Sequence, residues 1–280
     1  MRIGSLKLKN RIFLAPMEEI NDPAFRMLCK KAGAGLTYTG LSSPLNPKEL
    51  TLDDKPALQI FCTSEKGVKD FIKKYDKKVS LWDFNLGCPS KLAKKHGFGV
   101  FMHEDLESIE QILKVMKEST KKPVTIKIRK SPKTLEIIKI AEKYCDAIGI
   151  HPRTQAQGYS GKPDLDFSLK VKEMTRLPVI YSGDVNEKNY RELLRKFDFV
   201  MVGRAAIGRP NIFVKMTGKK MRDITFKNYL KLAEKYKLYF RQIKFQAMNF
   251  TKDQKDAKKL RLKIFEAKSL EELKKILLLS

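Results

Sequence analysis

The chain has 280 residues, of which 58 are Lys or Arg and 32 Asp or Glu, a formal net charge of +26, and 42% are hydrophobic. That apolar content excludes compositional disorder, and the length suits one large α/β core with a small appendage better than two large domains. No apolar run approaches the ~20 residues needed to cross a bilayer, and Cys29, Cys62, Cys88 and Cys145 form no CxxC pair, which weakens the membrane, disulfide and zinc readings together.

In chain order, short β-branched or aromatic runs occupy residues 11–15, 35–39, 57–61, 79–85, 124–128, 147–150, 179–181 and 199–202. Each is followed by a polar loop and usually by a segment of helical period, the alternation that builds parallel sheets. Eight such units predict a closed (β/α)8 TIM barrel rather than an open doubly wound sheet. Helix starts are expected at Asp22-Pro23, Ser64-Glu65, Ser131-Pro132 and Asn186-Glu187, where a capping side chain or a first-turn Pro meets an amphipathic run.

The strand signal ends near residue 218, and residues 225–280 read as two or three basic amphipathic helices, such as Asn228 to Met248 and Leu270 to Leu279. The predicted organisation is therefore a catalytic barrel over 1–218 and a small helical domain over 219–280. Residues 215–280 hold nineteen Lys or Arg against seven Asp or Glu. A polyanion such as a nucleic acid would neutralise that excess, the alternative being a solubilising basic face.

A barrel of this kind carries its site at the C-terminal ends of its strands, and polar chemistry follows nearly every run. The tips hold Pro16-Met17, Gln59, Asn85 through Ser90, Lys127 and Arg129, His151 through Tyr159, Ser182-Gly183-Asp184 and Gly203-Arg204. Gly183 and Gly203-Arg204 follow the last two strands, where barrels commonly bind phosphate through backbone N–H groups and a cation. Lys127 lies within a strand covered by helices and must point into the barrel mouth. Cys88 sits in a Gly-Cys-Pro turn that packing does not explain, whereas Cys29, Cys145 and Cys62 read as buried small hydrophobes. His96 and His103 lack metal-ligand spacing and read as loop or cap residues, so no metal is expected.

Taken in order, Ala15-Pro16-Met17, Asp22-Pro23-Ala24-Phe25-Arg26, Asn85-Leu86-Gly87-Cys88-Pro89-Ser90, Lys127-Ile128-Arg129, His151-Pro152-Arg153-Thr154 and the run from Gly203 to Pro210 resemble the tRNA-dihydrouridine synthase family. The likeness runs from about Ile12 to Phe213. It implies FMN held by Pro16, Met17, Glu18, Gln59, Lys127, His151, Ser182, Gly183, Asp184, Gly203 and Arg204. It also implies reduction of the C5–C6 double bond of uridine in tRNA, with hydride passing to C6 and Cys88 protonating C5. That role needs a thiol, so surroundings that stabilise a thiolate are not expected. Asn85, Lys91, Arg129, Arg153, Gln157 and Tyr159 are the candidates for a pocket that takes a flipped base, the alternative being loops held by their own contacts. Lys91, with Lys94 and Lys95, could meet RNA phosphates beside it, the alternative being a solvated helix face.

The resemblance further implies NADPH or NADH as the electron donor, without a separate Rossmann fingerprint; the scattered cysteines fit a reducing cytoplasm best, and a monomer acting on tRNA without membrane association is expected. The chain departs from the family at Glu19 and Cys62, where glycine is usual, and at Ser182, where asparagine is common. A carboxylate at Glu19 is expected close to the flavin ring. The helical tail is shorter than the family's tRNA-binding domain. Two other readings stay open: an FMN barrel reductase of a free pyrimidine, like dihydroorotate or dihydropyrimidine dehydrogenase, and a catalytically silent RNA-binding barrel. Loss of activity on deleting residues 219–280 with FMN retained would favour the RNA reading.

Overall fold

The computed structural model describes all residues except positions 48, 253, 255, 279 and 280. Eight parallel strands form one sheet: β1 (Ile12–Leu14), β2 (Leu36–Thr37), β3 (Ala57–Ile60), β4 (Leu81–Leu86), β5 (Val124–Arg129), β6 (Ala147–His151), β7 (Val179–Tyr181) and β8 (Phe199–Val202). Each pairs with its neighbour in sequence, and β8 returns to β1 with Val200 beside Ile12. Between β2 and β3 the pairing reduces to the bridges Tyr38–Ala57 and Ser42–Ile60, which complete the ring. All eight expected runs are strands of this (β/α)8 barrel.

Strand alternation divides the core in two. Phe13, Leu36, Ala57, Leu81, Ala147, Ile180, Phe199 and Met201 point inward and plug the barrel, closed below by Ile3 and Leu8 of the N-terminal segment. Their alternates, such as Leu58, Trp82, Ile126, Ile148 and Val200, pack outward against the helices. The surrounding helices are α1 (Pro23–Ala32), α2 (Val68–Tyr75), α3 (Lys91–His96), α4 (Leu106–Ser119), α5 (Thr134–Tyr144), α6 (Leu165–Met174), α7 (Tyr190–Lys196) and α8 (Asn211–Thr217).

Of the expected helix starts, Asp22 caps α1 through Phe25 N at 2.9 Å, with Pro23 in the first turn. The others differ. α2 begins at Val68 after Gly67, whose φ of 75° suits glycine. Ser131-Pro132 and Asn186-Glu187 instead form turns ahead of α5 and α7, with Ser131 N bonded to Thr134 Oγ1 at 2.9 Å and Asn186 Oδ1 accepting from Lys188 N at 2.9 Å. Asn and Ser serve turns as readily as caps, which is why the motif misplaces the boundary.

Among the described residues the tail forms helices α9 (Phe226–Lys235), α10 (Phe240–Phe250), α11 (Ala257–Glu266) and α12 (Leu270–Ile276). The single helix expected over Asn228 to Met248 is broken at Lys237, which adopts φ 51°. The other expected helix stops at Ile276, and its predicted end, Leu279, lies outside the described residues. Contact with the barrel is close: a Cβ on Gly208, after β8, would come 2.0 Å from Asn249 O of α10. Among the described residues no helix is long and apolar enough to cross a membrane.

Candidate active site

Above the apolar plug the inward-facing residues become polar, and the strand tips open on a cavity of about 1590 Å³. Pockets for one drug-sized ligand run to ~1,000 Å³, so there is room for a cofactor and a second ring. Pro16, Met17, Glu18, Gln59, Lys127, His151, Ser182, Gly183, Asp184, Gly203 and Arg204 all line it, as do Asn85, Cys88, Lys91, Arg129 and Tyr159.

The floor is a hydrogen-bonded chain across β3, β4 and β5. Asp83, inward-facing two residues before Asn85, accepts from Thr125 Oγ1 at 2.5 Å and from Gln59 Nε2 at 2.6 Å. Gln59 Oε1 accepts from Asn85 Nδ2 at 2.7 Å, and Asn85 Oδ1 accepts from Gly87 N at 3.3 Å and Cys88 N at 3.0 Å. Burial pushes the Asp83 carboxyl up to about 6, against the bonds from Thr125 and Gln59 and the charge of Lys127. Burial also brings the Lys127 ammonium down to about 8, with Arg129 adding repulsion. Its side chain crosses Gly149 of β6, where a Cβ would stand 3.3 Å from Lys127 Cγ.

Cys88 is half-buried on the wall, its Sγ 3.3 Å from Ser90 Oγ, and Ser90 in turn caps α3 through Ala93 N at 3.1 Å. Gly99 fits beneath this turn, since a Cβ there would lie 2.6 Å from Cys88 O. Cys62, on the same wall, is buried, and that burial raises its thiol to about 12.

Two of the expected base-pocket residues do not reach the cavity wall. Arg153 is 1% exposed and spends its guanidinium on Ser160 O at 3.1 Å, Gly161 O at 2.6 Å and Asp184 at 2.5 Å. Gln157 Oε1 accepts from Thr154 N at 2.8 Å and so closes its own loop. Both follow the alternative of loops held by their own contacts. Arg129 combines the two roles: it donates to Gly87 O at 3.1 Å, Thr154 O at 3.1 Å and Gly158 O at 2.6 Å, and its face lies over the Tyr159 ring. Arg204 also lies over the Tyr159 ring, 5.2 Å from its centroid, and pairs with Asp184. Burial opposes charge on Asp184, yet Arg153 and Arg204 hold its carboxyl below the ordinary value.

His151 is held neutral, driven to about 2 by burial and then by Lys127, Arg129, Arg153 and Arg204. Arg153 Nη1 lies 3.3 Å from its Nε2, which leaves the ring proton on Nδ1. Glu19 is absent from the wall and Glu18 is present: Glu18 Oε2 accepts from Leu41 N at 2.7 Å, while Glu19 turns through φ 60° with its carbonyl bonded to Gln242. A left-handed φ is the physical reason a glycine would be at ease there.

The sequence reading missed Asp83, although a carboxylate inside a strand is as legible as Lys127. His103, expected as a loop or cap residue, caps the 3-10 turn Gly99–Met102, and it is buried with its ring nitrogens 2.6 Å from Ser131 Oγ and 2.6 Å from Leu86 O, bracing β4 against the loop after β5. The cavity wall from Gly40 to Asn46 carried no periodic signal at all.

A family profile described as dihydrouridine synthase (Dus) matches residues 13–278. The tRNA-dihydrouridine synthase B of Pasteurella multocida (strain Pm70) is 34% identical over 76% of this chain and 70% of its own length. The protein of that name from Pectobacterium carotovorum is 32% identical over 76% and 73%. Among solved structures, histamine dehydrogenase from Rhizobium sp. 4-9 superposes with a TM-score of 0.59 at 13% identity, over 78% of this chain and 47% of that one. At such identity the likeness concerns the barrel alone.

Proposed function

This chain belongs to the dihydrouridine synthase family, and from that we propose that it reduces the C5–C6 double bond of uridine in tRNA with FMN bound across its strand tips. The residues present suit such a group: Pro16, Met17 and Met201 offer an apolar wall, Gln59 and Lys127 a polar edge, and Arg204 with Gly203 a cationic end for a phosphate. When bound and reduced, FMN supplies the hydride that adds to uracil C6.

The chain's own residues do the rest. Cys88 gives its Sγ proton to C5, so that hydride and proton together saturate the double bond. Lys127, lining the cavity, would hold the isoalloxazine edge and offset the negative charge that reduction brings. Tyr159, exposed on the wall and flanked by Arg129 and Arg204, stacks on the extruded base, and Lys91 meets its phosphate. The basic tail, over residues 219–280, docks the remainder of the tRNA. NADPH or NADH would supply the electrons through the same opening.

The observation that carries this reading is Cys88 on the wall of one cavity with Lys127, Gln59 and Arg204. Its test is Cys88→Ala. The purified variant is expected to keep the yellow flavin absorbance of the parent and to lose dihydrouridine formation by at least ~10²-fold, the usual contribution of a general acid. A variant as active as the parent would refute the proton-donor role. Activity on free uridine equal to that on tRNA would favour a free-pyrimidine reductase.

A further inference from the structure

We propose that Asp83 is a positioning residue that fixes the direction of the Gln59 and Asn85 side-chain amides, and through them the backbone of Cys88. The two ends of an amide have nearly the same shape, so packing cannot choose between them and hydrogen-bond polarity must. A carboxylate accepts and does not donate. Gln59 therefore turns Nε2 toward Asp83, leaving Oε1 for Asn85. Asn85 must then donate through Nδ2, and its Oδ1 is left to receive the N–H groups of Gly87 and Cys88.

The chain starts at a group that only accepts and ends at backbone groups that only donate, so one direction satisfies every link. Reversing any amide sets donor against donor or acceptor against acceptor. Its three side chains are buried: Asp83 and Gln59 are 1% exposed and Asn85 7%. An unmet donor in such a place bears its desolvation penalty with nothing to offset it, which makes the direction binding. Without Asp83, Gln59 Nε2 has no acceptor on the barrel side and turns toward the cavity, releasing Asn85 Nδ2 and loosening the turn that holds the thiol. Thr125 secures the other carboxylate oxygen, so the anchor cannot swing away. The same order determines which donor and which acceptor Gln59 has left for the cavity.

The consequence for turnover rests on the function proposed above, but the amide directions do not, and the experiment separates them. In ¹H–¹⁵N spectra of flavin-free protein, with signals assigned by single substitutions, Asp83→Leu is expected to move the Asn85 side-chain amide and the Cys88 backbone amide, neither of which touches residue 83. Asp83→Asn is expected to leave them in place, because its Oδ1 still accepts from Gln59 while its Nδ2 faces Thr125 Oγ1. Gln59→Met interrupts the chain without removing the carboxylate and is expected to move the same signals, which keeps the test open should Asp83→Leu not fold. Unmoved Asn85 and Cys88 signals in the leucine or methionine variant, or equal movement in Asp83→Asn, would overturn the proposal. With tRNA and reductant, Asp83→Leu is expected to lower kcat by about 10²-fold, the scale of a misplaced reacting group, with Asp83→Asn near the parent. A parent that forms no dihydrouridine would sink the proposed function and leave the spectra to judge Asp83 alone.

Discussion

Lys127 is an ammonium inside a barrel, and its presence costs stability for the sake of the site. Its ordinary value of 10.5 falls to about 8 on folding because burial disfavours the charge. Below pH 8 both folded and unfolded chains carry the proton and the full penalty applies, up to about 3 kcal/mol from the size of the shift. As pH rises from 8 towards 10.5 the folded chain loses the proton first and the penalty fades. Lys127→Met is therefore expected to raise the melting temperature of the flavin-free protein at pH 7, and calorimetry should find that advantage shrinking above pH 8. A constant advantage across that range would mean that charge burial is not its source. Asp83 likewise makes charge burial a cost, but with the opposite pH dependence: its raised value means the cost of its ionisation appears as pH climbs from 3.8 to about 6. Such paired costs beside one another mark a site more often than a core.

At the scale of elements, the decisive contact is between the tail and the loop after β1. Asp22 caps α1 with one oxygen and with the other accepts from Gln246 Nε2 at 2.8 Å, Gln242 Nε2 at 3.0 Å and Tyr229 Oη at 3.2 Å. Gln246 and Gln242 also hold Ile20 O and Glu19 O, each at 2.7 Å. The segment that contributes Pro16, Met17 and Glu18 to the cavity is thus pinned from outside by α9 and α10. Asp22→Ala removes the cap and strands three donors, a loss of about 2–4 kcal/mol. The expected result is a lower melting temperature together with weaker flavin retention, measured by fluorescence on dilution. Unchanged flavin affinity would show the loop to be rigid by itself. Deleting residues 219–280 is no clean test of RNA binding, because Tyr229, Ile243, Ala247, Ile264 and Leu273 of that segment are buried in the main core, and the truncated barrel is expected to aggregate.

For the molecule as a whole, substitution of charge is the better probe. Lys258, Lys259 and Lys263 are exposed on α11, next to the exposed Leu262 and Phe265. If this face meets tRNA phosphates, changing the three lysines to Gln should weaken binding and flatten the dependence of log Kd on log salt by about 2, at somewhat less than one counterion per contact. A slope equal to that of the parent would place the RNA elsewhere. The barrel itself was legible from residue order, because period-two apolar runs and the polar residues at their ends are local properties: every strand, the Cys88 turn and the inward Lys127 follow from them. Arg153, Gln157 and Glu19 were not, and neither was the docking of the tail. A guanidinium or amide reads the same in sequence whether it faces a ligand or closes a loop. What decides is which carbonyls and carboxylates the folded chain brings within 3 Å of it, and those partners lie up to some thirty residues away for Arg153 and more than two hundred for Gln246.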